Sequence, residues 1–333
     1  MITEPVTIIS KNNPRITVII PVKNREKVIG RCLKAIFSQS LKPFEVIVVD
    51  GYSADKTVEQ VKKFPVKIVY EKYGTIGGAR QVGLENANGE YIAFTDSDCM
   101  PQTNWLENLV KEFNHEIVGV GGGIKNVGNE LWSKTIAIIM NTFFGSANSV
   151  QGRLFMEKRI VNSISGCNSM YRRTNLIKVG GFNTSLSVNE DTELNRRLAK
   201  SGRLYYIPDA VVIHDSNRGI KDFAQRIYEF GYGRGTLRLW DFQCIPPLIA
   251  LLIVLSLLIT PVIFVGALFF YTLILFVSGI KYSIKEKCLK YLISIPVIYL
   301  IEHCSYTLGF LRGLVKSYTT NNSASKKQNQ QTS

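Results

Sequence analysis

The acidic pair Asp96 and Asp98 is the part of the sequence whose residue types and spacing most directly indicate chemistry. The pair follows Tyr91–Thr95, a short apolar run typical of a buried strand. Two carboxylates this close repel each other unless a cation joins them. A hard divalent ion such as Mg²⁺ or Mn²⁺ binds carboxylate oxygens and bridges the phosphates of a nucleotide diphosphate. The pattern therefore predicts a metal and nucleotide site, although a D-x-D pair also occurs in ordinary turns.

A third carboxylate, Asp50, stands at the end of another strand-like run, Glu45–Val49. A carboxylate at the end of a strand accepts hydrogen bonds from a ribose or a base. A structural turn, in which Ser53 or Asp55 caps the next helix, explains the position equally well. The combination of Asp50 with the D-x-D pair favours a nucleotide site more than either feature alone.

Alternating strand-like and helical stretches would position these acids. Such alternation implies an α/β fold with a mostly parallel sheet, whose ligands bind at the carboxyl ends of the strands. The predicted strands are Ile16–Val22, Glu45–Val49, Val66–Tyr70, Tyr91–Thr95 and Val211–His214, and the predicted helices are Glu26–Gln39, Lys56–Lys63 and Thr192–Lys200.

Five motifs, two of which contain the acids above, stand in a fixed order along the chain: Ile19–Asn24, Val48–Asp55, Gly77–Arg80, Thr95–Asp98 and Asn189–Leu194. In this order they resemble the motifs of family 2 glycosyltransferases with the GT-A fold. Together they span most of residues 15–215, so the joint match is far more specific than any single motif. The resemblance implies a Rossmann-like catalytic domain that takes its sugar from a nucleotide-diphosphate sugar of the UDP or GDP type.

The resemblance also assigns roles at the donor site. It implies that Asp98 holds the divalent metal, Mg²⁺ or Mn²⁺, and that Asp96 helps to place the ribose and the metal waters. A surface charge on a helix is the alternative for Arg80. Gly51 replaces a second aspartate of many members, which leaves the donor contacts of that position open. The residues expected to bind the nucleotide are Pro21, Val22, Asn24, Asp50 and Arg80.

At the acceptor site, Asp191 resembles the catalytic base of the family, which takes the proton of an acceptor hydroxyl while the sugar configuration inverts. The need is physical, because a sugar hydroxyl is a poor nucleophile near neutral pH. Helix capping is the competing interpretation. Glu190 would orient the acceptor or only favour the helix dipole. The other candidates for acceptor or phosphate contacts are His214, with a structural role as the alternative, and Arg234.

The C-terminal part of the chain is strongly apolar. Residues 245–280 carry no charge, and this length suits two membrane crossings of roughly 20 residues each, joined near Thr260. A helix pair buried in a soluble protein is the alternative. A third apolar segment, residues 288–316, contains charged residues and is either a third crossing or an interfacial helix. The polar residues 317–333 are expected to be a disordered tail.

The net charge of +14 indicates an anionic partner, and many basic residues flank the apolar hairpin. This placement favours lipid headgroups over nucleic acid and predicts that both ends of the hairpin face the cytoplasm. No nucleic-acid-binding motif is recognised. Residues 1–15 do not resemble a signal peptide, and the six cysteines form no C-x-x-C pair, which fits a reducing compartment.

The sequence therefore predicts a multi-pass cell-membrane protein whose catalytic domain, residues 1–240, is cytoplasmic. The resemblance is to succinoglycan-type transferases of polysaccharide assembly, and it implies transfer to a hydroxyl of a lipid-linked glycan. A polyprenyl-phosphate sugar synthase, whose acceptor needs no base, and a non-catalytic sugar-nucleotide or lipid-binding membrane protein are the alternatives. The apolar segment Leu131–Phe144 either lines the acceptor site or is a core helix followed by a loop.

Overall fold

The computed structural model describes residues 14–147 and 149–331, with side chains described up to residue 319. The expectation for the N-terminus therefore lies largely outside the described residues. The strands are β1 Ile16–Val22, β2 Glu45–Asp50, β3 Lys67–Tyr70, β4 Tyr91–Thr95, β5 Cys99–Pro101, β6 Ile117–Val127, β7 Arg159–Val161, β8 Asn168–Arg172 and β9 Arg203–Asp215.

The helices include short turns as well as long apolar segments. They are α1 Ile29–Phe37, α2 Thr57–Val61, α3 Ile76–Glu85, α4 Trp105–Val110, α5 Leu131–Met140, α6 Phe143–Ser146, α7 Arg173–Lys178, α8 Glu190–Leu198, α9 Ile220–Thr236, α10 Ile245–Ile259, α11 Pro261–Lys285 and α12 Tyr291–Gln331. A 3₁₀ helix, Phe242–Cys244, precedes α10.

The described strands form one mixed sheet in the order β3-β2-β1-β4-β8-β6-β9-β5, with β7 paired to β9. The β3, β2, β1 and β4 strands are parallel, whereas β8 is antiparallel to β4 and β6. The expected α/β fold is confirmed, and its parallel half contains the predicted strand–helix alternation. All seven residues of β1 are buried, as expected for a central parallel strand covered on both faces.

Contacts divide the chain into two compact units. The first comprises Met1–Gly123, Met156–Ser185 and Leu194–Val212, and the second comprises Ile124–Phe155, Leu186–Glu193 and Ile213–Ser333. The core of the first unit includes Phe94, whose ring meets those of Tyr171 and Phe182 edge-on. The core of the second unit joins α5, α9, α11 and α12.

The apolar C-terminal region is helical. Thr260 separates α10 from α11, and its hydroxyl accepts a hydrogen bond from the Val262 N–H at 3.1 Å. Pro261 occupies the first position of α11, where its missing N–H has no helical partner to lose. Among the described residues, three helices are long and apolar enough to cross a membrane: Phe242–Ile259, Pro261–Lys285 and Tyr291–Thr319.

The segment expected to be a disordered tail is described only in part. The backbone continues α12 as far as Gln331, and residues 332 and 333 lie outside the described part. Residues 317–331 contain no proline or glycine, and their Lys, Gln and Ala residues are good helix formers. The disordered tail therefore stays a prediction.

Candidate active site

The acids singled out in the first unit follow two parallel strands, β2 and β4, which lie on either side of β1. Asp50 is the last residue of β2 and lies in register with Val22, the last residue of β1. Asp96 and Asp98 follow β4, which pairs with the other edge of β1. The carboxyl ends of parallel strands share one edge of the sheet, so this edge carries three carboxylates. Pro21 and Val22 are buried there.

Asp50 organises the turn that follows it. Its carboxylate accepts hydrogen bonds from the Ser53 N–H at 3.0 Å and from the Ser53 hydroxyl at 2.6 Å. Asn24 ties the preceding loop to this turn, since its Oδ1 accepts the Ala54 N–H at 2.8 Å. Both Asn24 and Tyr52 have positive φ angles, 54° and 58°. The structural interpretation of Asp50 thus has direct support, and its contact with a nucleotide stays a prediction.

Gly51, the first residue after β2, lies beside Lys23, the first residue after β1. A Cβ at Gly51 would lie 3.3 Å from the Cβ and Cδ of Lys23. A side chain at this position would therefore require Lys23 to shift by a few tenths of an ångström.

Arg80 lies on α3 and is buried, with 3% of its surface exposed. The interpretation as a surface charge is therefore wrong. Its Nη2 lies 2.9 Å from Asp96 Oδ1. Gly166 makes room for the guanidinium, because a Cβ there would lie 1.6 Å from Arg80 Nη1. The structure thus joins two residues from different motifs, Arg80 and Asp96, in one ion pair.

The charges of Asp96 and Asp98 affect two thiols that are buried in the core. Burial raises the pKa of the Cys32 thiol well above its usual value, and the charges of Asp98 and Asp96 raise it further. Burial also raises the pKa of Cys99, next to Asp98, with a smaller contribution from its hydrogen bond with Cys167. Both thiols are therefore protonated at neutral pH. The end of β4 remains electronegative although Arg80 is paired with Asp96.

Asp191 lies in the first turn of α8, in the second unit. The turn before it is held by Asn189, which has a φ of 58° and donates from its amide to the Phe230 carbonyl at 3.1 Å. Asparagine adopts this left-handed conformation more readily than most residues. Asp191 Oδ1 accepts the Thr192 N–H at 2.7 Å. The segment that presents Asp191 is thereby fixed by both backbone and side chain.

Sequence reasoning did not single out Gln151, which contacts the predicted base. Its Nε2 donates to Asp191 Oδ2 at 3.2 Å and to the Thr192 hydroxyl at 3.3 Å. The two partners are separated by 40 residues, so no local pattern indicates the contact. The only signal was the position of Gln151 in the segment after α6, close to the apolar stretch linked above to the acceptor.

The remaining candidates have structural partners. His214 Nδ1 lies 2.9 Å from Asn126 Oδ1 and 3.2 Å from the Ser216 hydroxyl, which fixes the ring orientation. Arg234 is buried on α9 and forms an ion pair with Asp241. Glu190 is buried at the start of α8. Their roles toward acceptor or phosphate stay predictions.

A sheet with a parallel half, a D-x-D pair after its fourth strand and an antiparallel second half defines a GT-A-type sugar transferase fold. Residues 17–180 match the sequence profile of glycosyl transferase family 2, so the chain carries a domain of this family. It is therefore a glycosyltransferase, as the sequence predicted.

Two relatives and one solved structure support this assignment. Dolichyl N-acetyl-alpha-D-glucosaminyl phosphate 3-beta-D-2,3-diacetamido-2,3-dideoxy-beta-D-glucuronosyltransferase of Methanococcus voltae is 27% identical over 330 residues, covering 92% of this chain and 98% of the relative. Glycosyltransferase AglE of Haloferax volcanii is 28% identical over 238 residues, covering 68% of this chain and 74% of the relative. The structure of the mannosyltransferase PcManGT from Pyrobaculum calidifontis, in complex with GDP-Man and Mn²⁺, has a TM-score of 0.56 at 20% identity and covers 87% of this chain and 88% of its own. That structure supports the fold.

Proposed function

We propose that the protein is an inverting, metal-dependent glycosyltransferase that moves a sugar from a nucleotide-diphosphate donor to a hydroxyl of a lipid-linked glycan at the cytoplasmic face of a membrane. The observation that carries this proposal is the acidic edge of the parallel strands, where Asp50, Asp96 and Asp98 follow β2 and β4. A non-catalytic sugar-nucleotide or lipid-binding protein would not require this set of acids together with Asp191.

A divalent metal fits the donor side. Arg80 is paired with Asp96, yet the field of both aspartates still raises the pKa of the buried Cys32 thiol, after the larger effect of burial. Carboxylate oxygens are the ligands that Mg²⁺ and Mn²⁺ prefer. Asp98 would hold the ion, and Asp96, oriented by Arg80, would help to place the ribose. When bound, such an ion neutralises the charge that develops on the leaving diphosphate.

On the acceptor side, Asp191 would take the proton of the attacking hydroxyl. The amide of Gln151 donates to one oxygen of Asp191, and the Thr192 N–H donates to the other. Two donors of this kind keep a carboxylate oriented. Asp191 also supports a hydroxyl acceptor over the phosphate acceptor of a polyprenyl-phosphate sugar synthase, which needs no base.

The acceptor class rests on the relative from Methanococcus voltae, whose name describes action on a dolichyl sugar phosphate. We extend a lipid-linked acceptor of this kind to the present chain, because three of its helices could span a membrane. The basic residues that flank the hairpin support a cytoplasmic catalytic domain. The donor would be of the UDP or GDP type, and GDP-Man is bound in the structurally similar mannosyltransferase.

The test is transfer from a panel of radiolabelled nucleotide sugars into membrane lipid, with and without EDTA. We expect labelled lipid from one donor, with losses of about 10²- to 10⁴-fold in Asp98→Ala and Asp191→Asn. Glu59→Gln, which changes an exposed acid on α2, serves as the matched control and should retain activity. Full activity in EDTA would contradict the metal, and full activity of Asp191→Asn would favour a phosphate acceptor.

A further inference from the structure

The short helix α6 exposes two phenylalanine rings that the proposed mechanism does not use. Phe143 and Phe144 are 44% and 53% exposed, and their rings meet edge-on with centroids 5.6 Å apart. Adjoining apolar side chains at a surface usually mark contact with a protein partner or with a membrane. The surroundings of α6 in the second unit distinguish between these two.

The exposed rings continue onto the first helix that could cross a membrane. The Phe143 ring meets the Phe242 ring edge-on, with centroids 5.7 Å apart. Phe242 is 49% exposed and is the first residue of the apolar span Phe242–Ile259. We name the three joined rings the α6 patch: Phe143, Phe144 and Phe242. The α6 patch is therefore continuous with a helix whose length and composition suit the interior of a membrane.

A second contact joins α6 to the third apolar helix. The Thr142 hydroxyl caps α6 by accepting the Gly145 N–H at 3.0 Å, and it lies 2.7 Å from the Tyr299 hydroxyl. Both Thr142 and Tyr299 are buried. Tyr299 belongs to the apolar segment Tyr291–Thr319 of α12. Helix α6 thus contacts two of the helices that could cross a membrane, one through an aromatic ring and the other through a buried hydrogen bond.

The position of α6 is fixed by close packing against the end of α5. A Cβ at Gly145 would lie 2.3 Å from the carbonyl oxygen of Ile139, so a larger residue would push α6 away from α5. Ile139 is itself fully buried. Within α6, the Ser146 hydroxyl donates to the Thr142 carbonyl at 2.7 Å. The fold therefore holds the two rings at the surface.

The chain that leaves α6 leads to the proposed base. Gln151 follows α6 by a few residues and donates to Asp191 at 3.2 Å. Its neighbour Gly152 packs against α5 and α6, since a Cβ there would lie 3.2 Å from Met140 Cε and 3.5 Å from Ser146 Cβ. The residue that contacts the base is therefore attached to the segment that carries the α6 patch.

We propose that the α6 patch is a lipid-binding surface, whose phenylalanine rings contact the acyl chains of membrane lipid beside the first span. Lipid fits better than a protein partner, because the patch consists of uncharged aromatic rings and continues into an apolar helix. Since the same segment carries Gln151, this contact keeps Asp191 close to lipid, where it would serve an acceptor that is carried by lipid. This consequence for the acceptor rests on the proposed function, whereas the lipid contact does not.

Quenching of tryptophan fluorescence by lipids with brominated acyl chains tests the contact, with the full chain in phosphatidylcholine vesicles. The reporter is Phe143→Trp, in a background in which Trp132 and Trp240 are changed to phenylalanine and the buried Trp105 is kept. Phe44→Trp in the same background is the control, since Phe44 is similarly exposed, at 48%, but lies in the first unit. We expect brominated lipid to quench the reporter at position 143 severalfold more than the one at position 44. Equal quenching at the two positions, weak or strong, would overturn the lipid contact.

A second measurement separates the lipid contact from the proposed function. The double variant Phe143→Ser, Phe144→Ser should bind the donor nucleotide as the wild type does, because the donor-site acids lie in the first unit. Its transfer of sugar into membrane lipid should be about tenfold slower, since the apolar contact is lost. Phe44→Ser is the control and should retain transfer. Wild-type transfer by the double variant would overturn the consequence for the acceptor. Quenching at position 143 in a wild type that transfers nothing would contradict the proposed function and support the lipid contact.

Discussion

The two units of the chain use glycine for different purposes. In the first unit, Gly166 admits the side chain of Arg80, and Gly119 lies under the Tyr171 ring. In the second unit, Gly231, Gly309 and their partners one turn later admit the backbone of another helix. The first arrangement makes room for a charge inside an apolar core. The second brings two helices together without large side chains between them.

This difference follows from what holds each unit together. Around the sheet of the first unit, burial of apolar side chains drives packing, so a polar group such as Arg80 requires a prepared space and a partner. Between α9 and α12, close backbone contact increases dispersion and weak Cα–H···O contacts, as small residues do at helix interfaces in membranes. Substitutions at these glycines therefore separate the two modes of packing.

The largest effect is expected from Gly309→Leu. Because even a Cβ there would lie 2.1 Å from the Tyr228 carbonyl oxygen, α12 must move away from α9. We expect a loss of roughly 3 kcal/mol or more in stability, at the upper end of the range for overpacked sites. Thermal unfolding of the detergent-solubilised protein measures the loss. Gly266→Leu on α11, where no atom lies within 4 Å, is the control, and equal destabilisation by both would contradict the close packing.

A smaller loss is expected from Gly166→Ala in the first unit. The added methyl group would displace the Arg80 guanidinium from Asp96, and we expect roughly 2 kcal/mol of destabilisation together with weaker donor binding. Titration with the donor nucleotide and thermal unfolding give the two readouts. Gly30→Ala on α1, where a Cβ meets nothing within 4 Å, should be neutral or slightly stabilising. Unchanged nucleotide affinity in Gly166→Ala would indicate that Arg80 does not contribute to donor binding.

Gln151→Ala tests the contact with the proposed base in the second unit. Removal of the amide donor leaves Asp191 less well oriented, and we expect kcat to fall about tenfold, equivalent to ~1.4 kcal/mol, with little change in donor KM. Gln225→Ala, which removes an exposed bond to Glu229 on α9, is the control. An unchanged kcat would indicate that Gln151 only supports the fold.

The smallest effect is expected on the stability of the protein at low pH and comes from Asp55. The hydrogen bond from the Thr57 hydroxyl lowers the pKa of Asp55 below its usual 3.8, against a weaker opposing effect of burial. The stability from this group is therefore complete above about pH 3.8 and is lost as pH falls through the lower folded-state value. Asp55→Asn should lower the unfolding temperature slightly at pH 7 but not at pH 2. An equal difference at both pH values would assign the effect to packing.

The sequence predicted the parallel half of the sheet well, because its strands are continuous apolar runs. The bounds of β1 and β4 agree with the predicted strands. Strand β9 is longer than expected and runs from Arg203 to Asp215, since Pro208 and Asp209 in its middle resemble a break. Helix α3 was missed because Gly77 and Gly78 are weak helix formers, although Thr75 caps it with a bond from the Gly78 N–H at 2.9 Å.

For the candidate site, the sequence predicted which residues take part but not which residues they contact. The order of the motifs indicated Arg80, Asp96 and Asp191, but nothing local shows that Arg80 is buried against Asp96 or that Gln151 meets Asp191. Such pairs depend on which elements the fold brings together. The contact between α12 and α9 is another example, because hydropathy depends on composition alone and does not show which helix α12 packs against.

The unequal lengths of the two hairpin helices have a consequence for the surrounding lipid. The first apolar helix, from Phe242 to Ile259, has 18 residues, and α11 has 25. At 1.5 Å per residue these span about 27 and 37 Å, against a hydrocarbon layer of roughly 30 Å. If both helices cross a bilayer, the longer one must tilt and the bilayer must become thinner around the shorter one. This hydrophobic mismatch should make the protein prefer thin bilayers, so its activity in vesicles of graded acyl-chain length should decline as the chains lengthen.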